Sequence, residues 1–230
     1  MRQLPLDLRI QDKPSFANFW SGENDIVRQA AEAVAAGGRG PLYVFGPSGC
    51  GKTHLLAAAV RAAADRGPCA YLSIGHASDA QWEGLEDLPS NALLCVDELD
   101  ALSARPEWER RLFVLLEDLA PDRRAILAGR SNPAGLAIRR PDLRTRLASG
   151  PVLALSALSD EGKAEALRYR AALRGLSLNA AAAAYLLAHG PRDLRALFVL
   201  LEQLDQSTLA DGRRLTIPYL RTILRGWPRA

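Results

Sequence analysis

The chain is poor in the residues that build metal and disulfide sites. Its three cysteines, Cys50, Cys69 and Cys95, are scattered and form no C-x-x-C. This argues against a zinc ribbon, a redox pair or a disulfide framework, and it fits a reducing cytosol. The three histidines, His54, His76 and His189, share no ligand spacing. Lysine occurs only at 13, 52 and 163, so nearly all positive charge is arginine. A GC-rich coding bias accounts for that, and a net charge of +3 is too mild to dictate a nucleic-acid partner. No apolar run approaches membrane-spanning length, no signal peptide opens the chain, and there is no internal repeat or low-complexity linker.

What is present is a chain of 230 residues with 48% hydrophobic content, enough for one large domain or a medium domain plus a small one. Its most informative stretch is Gly46, Pro47, Ser48, Gly49, Cys50, Gly51, Lys52, Thr53, which fits G-x-x-x-x-G-K-[ST] at every fixed position. An apolar run, Leu42 to Phe45, precedes it. Leu55, Leu56, Ala59, Val60 and Ala63 follow at helical spacing. In this strand–loop–helix context the glycines let backbone approach phosphate oxygens, and the loop N–H groups and helix N-terminus face negative charge. Lys52 neutralises the β- and γ-phosphates, and the Thr53 hydroxyl ligates Mg²⁺.

Taken in order, the chain opens on an extended leader in which Leu4, Leu6 and Leu8 alternate around Pro5. From the residues alone it reads more as an ordinary loose start, or an edge strand laid on the domain, than as a docking peptide. Phe16, Phe19 and Trp20 crowd before a helix expected from Glu23 to Ala36, where they wall a base pocket or pack in the core. Further strands are expected at Cys69–Ile74, Ala92–Val96, Ala125–Ala128 and Val152–Leu155. The run Ala92–Val96 is closed by Asp97-Glu98. Below a phosphate loop, that pair reads as a carboxylate holding Mg²⁺ through water (Asp97) and one polarising the attacking water (Glu98). One short helix is expected between Gly75 and Pro89, and an amphipathic one from Glu107 to Leu119. From Ser156 the pattern is helical alone, with Ser159 as a cap and Gly175 as a stop. Alternating strands and helices followed by helices give an α/β nucleotide-binding domain with a parallel sheet and a small all-helical lid. The boundaries read as 1–10 for the leader, 11–155 for the α/β domain and 156–230 for the lid.

This order of motifs resembles the AAA+ ATPases, and among them the DnaA family of bacterial replication initiators, most closely its regulatory, Hda-type branch. Phe16-x-x-Phe19 with Gly22 and Asn24 is similar to that family's segment before the adenine site, and Gly51 through His54 and Leu55 to its phosphate-loop ending. Asp142 to Gly150 resembles the box that supplies an arginine finger, which makes Arg146 the finger and Arg144 its neighbour. Gly190 to Arg195 resembles the sensor 2 motif, which makes Arg192 the lid residue reaching the phosphates. Where the family carries a polar, often acidic residue after the sensor 1 strand, this chain has Arg130, a departure that bears on its own hydrolysis.

The resemblance implies a protein that holds ADP or ATP with Mg²⁺ and represses initiation. Gln3, Leu4, Leu6 and Leu8 match the short motif with which the regulatory branch binds the sliding clamp of the replicative polymerase. No helix-turn-helix follows the lid in this sequence, which also points to that branch. The implied activity is hydrolysis of DnaA-bound ATP, stimulated by Arg146 in trans while the clamp tethers the chain to DNA. The intact phosphate loop allows a weak ATPase of its own, and self-association is open. The alternative is an ATP-driven helicase loader or remodeller, or a truncated initiator-like ATPase, gripping single-stranded DNA through Arg139-Arg140 and Arg213-Arg214.

Overall fold

The structure is a computed structural model that describes residues 13–86, 88–89, 91–117, 124–211 and 215–225. Five strands form one parallel sheet: β1 (Leu42–Phe45), β2 (Cys69–Ser73), β3 (Leu93–Asp97), β4 (Arg124–Gly129) and β5 (Val152–Ala154). They lie in the order β2-β3-β4-β1-β5, every pairing parallel. These are the five runs expected from sequence, with ends shifted by a residue or so.

Continuous apolar runs, rather than alternating ones, make these strands, because the sheet is buried on both faces. Side chains alternate across it. Leu42, Val44, Leu93, Cys95, Ile126 and Ala128 face α1 (Asp25–Ala35) and α2 (Lys52–Ala64), meeting Val27, Ala31, Leu55 and Leu56. Tyr43, Leu94, Val96, Ala125 and Leu127 face the other way. There they meet Trp82 of α3 (Asp79–Glu86), Trp108 and Leu112 of α4 (Pro106–Glu117), and Leu143 and Leu147 of α5 (Pro141–Leu147).

After β5 the chain turns wholly helical: α6 (Asp160–Leu173), α7 (Ala180–His189), α8 (Leu194–Asp211) and α9 (Ile217–Arg225). Ser159 caps α6 by accepting from the Gly162 N–H, and Gly175 adopts φ 74 after its last turn, both as expected. Asn179 caps α7 in the same way. Leu167, Ala183, Leu186, Leu197, Leu201 and Leu220 close a separate hydrophobic core.

Buried polar groups join this helical unit to the sheet. Asn24 grips Ser156 twice, donating to its carbonyl at 3.1 Å and accepting from its N–H at 2.8 Å. Arg170 of α6, only 5% exposed, donates to the Asn18 carbonyl at 3.0 Å and to Nδ1 of His54 at 3.2 Å. Its guanidinium lies 4.2 Å from the Phe198 ring centre of α8.

Candidate nucleotide site

In parallel α/β sheets, ligands bind beyond the carboxyl ends of the strands. Here that edge carries the loop after β1, the acidic pair after β3 and the turn after β4. Gly46 is packed so closely that a Cβ would stand 2.1 Å from the Leu155 carbonyl oxygen. Gly51 has φ 106 and precedes α2 without a side-chain cap, so the first amides of that helix lack the usual capping oxygen. An anion is the natural partner for them. Pro47, Ser48 and Gly49 form the exposed crest of the loop. Cys50 differs: it is 8% exposed and belongs to the core against α1 and α2, with its sulfur turned under the loop, 3.6 Å from Nζ of Lys52.

Lys52 arches back over the loop, donating from Nζ to the carbonyls of Gly46 and Pro47, both at 2.8 Å. The Thr53 hydroxyl donates to Oδ2 of Asp97 at 2.7 Å. Its hydrogen is thereby committed to the carboxylate and its oxygen lone pairs are left for a cation, which is the donor arrangement Mg²⁺ takes beside nucleotide phosphates. No group of three His, Cys, Asp or Glu among the described residues can hold a metal, so an ion here needs phosphate oxygens as co-ligands. Thr53 and Asp97 thus fit Mg²⁺ bound with a nucleotide.

Asp97 is 2% exposed and is met by two donors that sequence reading missed. Tyr71 donates its O–H to Oδ2 at 3.0 Å, and the Glu98 N–H donates to Oδ1 at 2.8 Å. Burial, then the Asp97 charge, pushes the Tyr71 phenol well above its ordinary pKa, so it stays a donor. Glu98 has φ 59, the only positive value among described non-glycine residues. Its carboxylate accepts from the Ser73 hydroxyl at the end of β2, with Nε2 of His76 at 3.8 Å.

At the end of β4, the Arg130 N–H donates to Asp100, which brings an acidic side chain beside the expected sensor 1 position from another segment. His54, expected at the nucleotide, bonds the Ser15 carbonyl at 3.2 Å as well as Arg170, which ties α2 to the N-terminal turn and the lid. Arg192 is exposed, one residue before Asp193, which caps α8 through the Ala196 N–H. An oxygen of Asp193 lies 4.0 Å from where a Cβ on Gly49 would stand, so the Arg192–Asp193 turn sits beside the phosphate-loop crest.

Arg146 is elsewhere. It donates from Nε and Nη2 to the Leu116 carbonyl at 3.1 and 2.8 Å, near the C-terminal end of α4, and lies 3.4 Å from Glu117. The following turn meets the start of β1: a Cβ on Gly150 would stand 1.9 Å from the Pro41 oxygen. Arg146 is therefore at the opposite end of the sheet from Gly46. Arg144 donates to the carbonyls of Leu136 and Ile138. Arg140 pairs with Asp142 and holds its carboxyl below the usual range, while also lying over Phe113. Gln3, Leu4, Leu6, Leu8, Arg213 and Arg214 lie outside the described residues.

A glycine loop that feeds a helix, a buried carboxylate across from it and a helical cap above are the working parts of a P-loop NTPase of the AAA+ type. Comparison with known families sharpens that class. Residues 10–154 match the bacterial DnaA ATPase domain, well over half of the chain, and residues 160–224 match the Hda lid domain. The chain belongs to the bacterial DnaA ATPase family. Among solved structures, domain III of the Thermotoga maritima replication initiation protein DnaA is similar at TM-score 0.71 and 20% identity, over 89% of this chain and 92% of that one. An initiator DnaA bound to AMPPCP and single-stranded DNA is similar at 0.68 and 20%, over 90% and 70%. AMPPCP-bound DnaA from Aquifex aeolicus is similar at 0.67 and 23%, over 85% and 66%.

Proposed function

We propose that this protein is an adenine-nucleotide-binding regulator of replication initiation that stimulates hydrolysis of ATP held by DnaA. The observation that carries the reading is the position of Arg146 within a chain whose lid matches the Hda model. Its guanidinium lies at the end of the sheet away from its own phosphate loop, so it cannot reach its own nucleotide. A second ATP-bearing molecule set against that end meets it in trans, where a finger is worth on the order of 10³ to 10⁵ in rate. The AMPPCP named for two initiator structures supports ATP or ADP as the ligand, bound by residues 46–53 with Arg192 above. When bound, Mg²⁺ supplies charge neutralisation between the phosphates, with Thr53 and Asp97 to hold it.

Residues 3 to 8 tether the chain to the DNA-loaded sliding clamp, so DNA is contacted mainly through the clamp and a weak contact with DnaA suffices. The setting is the bacterial cytoplasm. No helix among the described residues is long and apolar enough to cross a membrane. Because the phosphate loop and Asp97 are intact, slow ATP turnover by the chain itself is compatible with this role. The test is release of ADP from DnaA preloaded with ATP, in the presence of clamp on DNA. Wild type accelerates it, and both Arg146→Ala and removal of residues 1–8 abolish the acceleration. A wild type that leaves DnaA unaffected, hydrolyses its own ATP and binds single-stranded DNA tightly is instead a loader or remodeller.

A further inference from the structure

We propose that Tyr71 is a positioning residue on the metal side of the nucleotide site, setting how strongly Asp97 engages nucleotide-bound Mg²⁺; this rests on the nucleotide reading above. Tyr71 is on β2, at one edge of the described sheet, opposite Cys95 in register, while Ser73 is opposite Asp97. From there its side chain reaches forward to Oδ2 of Asp97, the same oxygen that takes the Thr53 hydroxyl. With the Glu98 N–H on Oδ1, the carboxylate carries three donors. An ionised carboxylate offers about four lone-pair sites. Both sites on Oδ2 are taken, so a metal-bound water is left the remaining one on Oδ1.

Tyr71 is the donor the site can do without. Thr53 is fixed by the phosphate loop and the Glu98 N–H by the backbone, whereas Tyr71 is 39% exposed. Its O–H draws charge out of Asp97 and competes with any water the cation polarises. Tyr71→Phe keeps the ring and frees one lone pair. It therefore strengthens the pull of Asp97 on Mg²⁺, whereas a bond that merely satisfies a buried carboxylate affects stability and leaves metal dependence where it was.

The experiment is Mg²⁺ titration of the full chain with a fluorescent ADP analogue, following dissociation of the analogue. Tyr71→Phe lowers the half-saturating Mg²⁺ concentration about 3- to 10-fold, the scale of a typical hydrogen bond's net contribution. The shift disappears when Asp97→Asn is combined with it, because the path runs through that carboxylate. An unchanged or raised Mg²⁺ requirement overturns the proposal, as does a shift that persists in the Asp97→Asn background. A Tyr71→Phe chain that fails to fold also overturns it, since Asp97 retains two donors. If wild type holds no ADP analogue at any Mg²⁺ concentration, the nucleotide reading fails first and takes this role of Tyr71 with it.

Discussion

Single atoms decide the phosphate loop. A methyl group at Gly46 meets the Leu155 oxygen at 2.1 Å and the Cys50 sulfur at 3.0 Å, and neither neighbour yields easily, the first being backbone and the second buried. Gly46→Ala is expected to destabilise the protein by about 1–3 kcal/mol, the usual cost of overpacking, seen as a lower denaturation midpoint. Lys52→Ala removes a side chain that crosses an exposed loop, so it leaves that midpoint nearly in place and abolishes nucleotide binding by equilibrium titration. The loop was legible in sequence because its working parts are contiguous and each has one physical reason to be there. Tyr71 was not: it meets Asp97 26 residues away, and only the pairing of β2 with β3 brings them together. Cys50 shows the converse, since a string match cannot say which way a side chain points.

At the scale of elements, α5 is held by α4. Glu109 is 1% exposed, and its carboxylate accepts from the N–H groups of Arg139 (2.9 and 3.1 Å) and Arg140 (3.1 Å). Arg140 precedes α5 with no side-chain cap of its own, and Glu109, 31 residues away, fixes the two amides just ahead of the helix, where its charge suits a helix N-terminus. At the other end of α5, Arg146 sits on the Leu116 carbonyl. The helix that bears the proposed finger is thus pinned at both ends to one neighbour. Glu109→Ala strands two amides that the carboxylate had satisfied and is expected to cost roughly 2–3 kcal/mol in chemical denaturation. Glu109→Gln keeps an acceptor and costs less. In the Ala variant, the proposed stimulation of DnaA is expected to fall further than the chain's own nucleotide affinity; equal losses in both would detach Glu109 from Arg146. Sequence periodicity gave α4, and family resemblance the arginine-rich box, but neither gave this bond, because Glu109 borders the apolar stripe of Trp108, Leu112 and Leu116 and looks like any surface carboxylate.

Across the whole molecule, the question is how a lid with its own core is coupled to the phosphate loop. The hydrophobic clusters are separate, so the coupling of lid to sheet rests largely on the groups that cross between them. Arg170 is foremost among these, because one guanidinium touches three elements: the turn at Asn18, His54 next to the phosphate loop, and Phe198 on α8. Tyr169 adds a bond from its hydroxyl to the Ala17 carbonyl at 2.6 Å. The lid helix that these bonds hold down leads, through α7, to the turn that carries Arg192. Arg170→Ala therefore frees the lid without unfolding it. Nucleotide affinity is expected to drop about 10- to 100-fold, the scale of losing one or two charge-assisted hydrogen bonds. Amide exchange is expected to quicken at the lid–sheet contact and to stay slow inside the lid core. Arg170→Lys recovers little, since an ammonium cannot serve two acceptors in the geometry of the planar fork or stack as well on Phe198. If the Ala variant binds nucleotide as wild type does, Arg170 is only mortar between two parts, and the grip of the Asn24 side chain on the Ser156 backbone is enough to hold the lid in place.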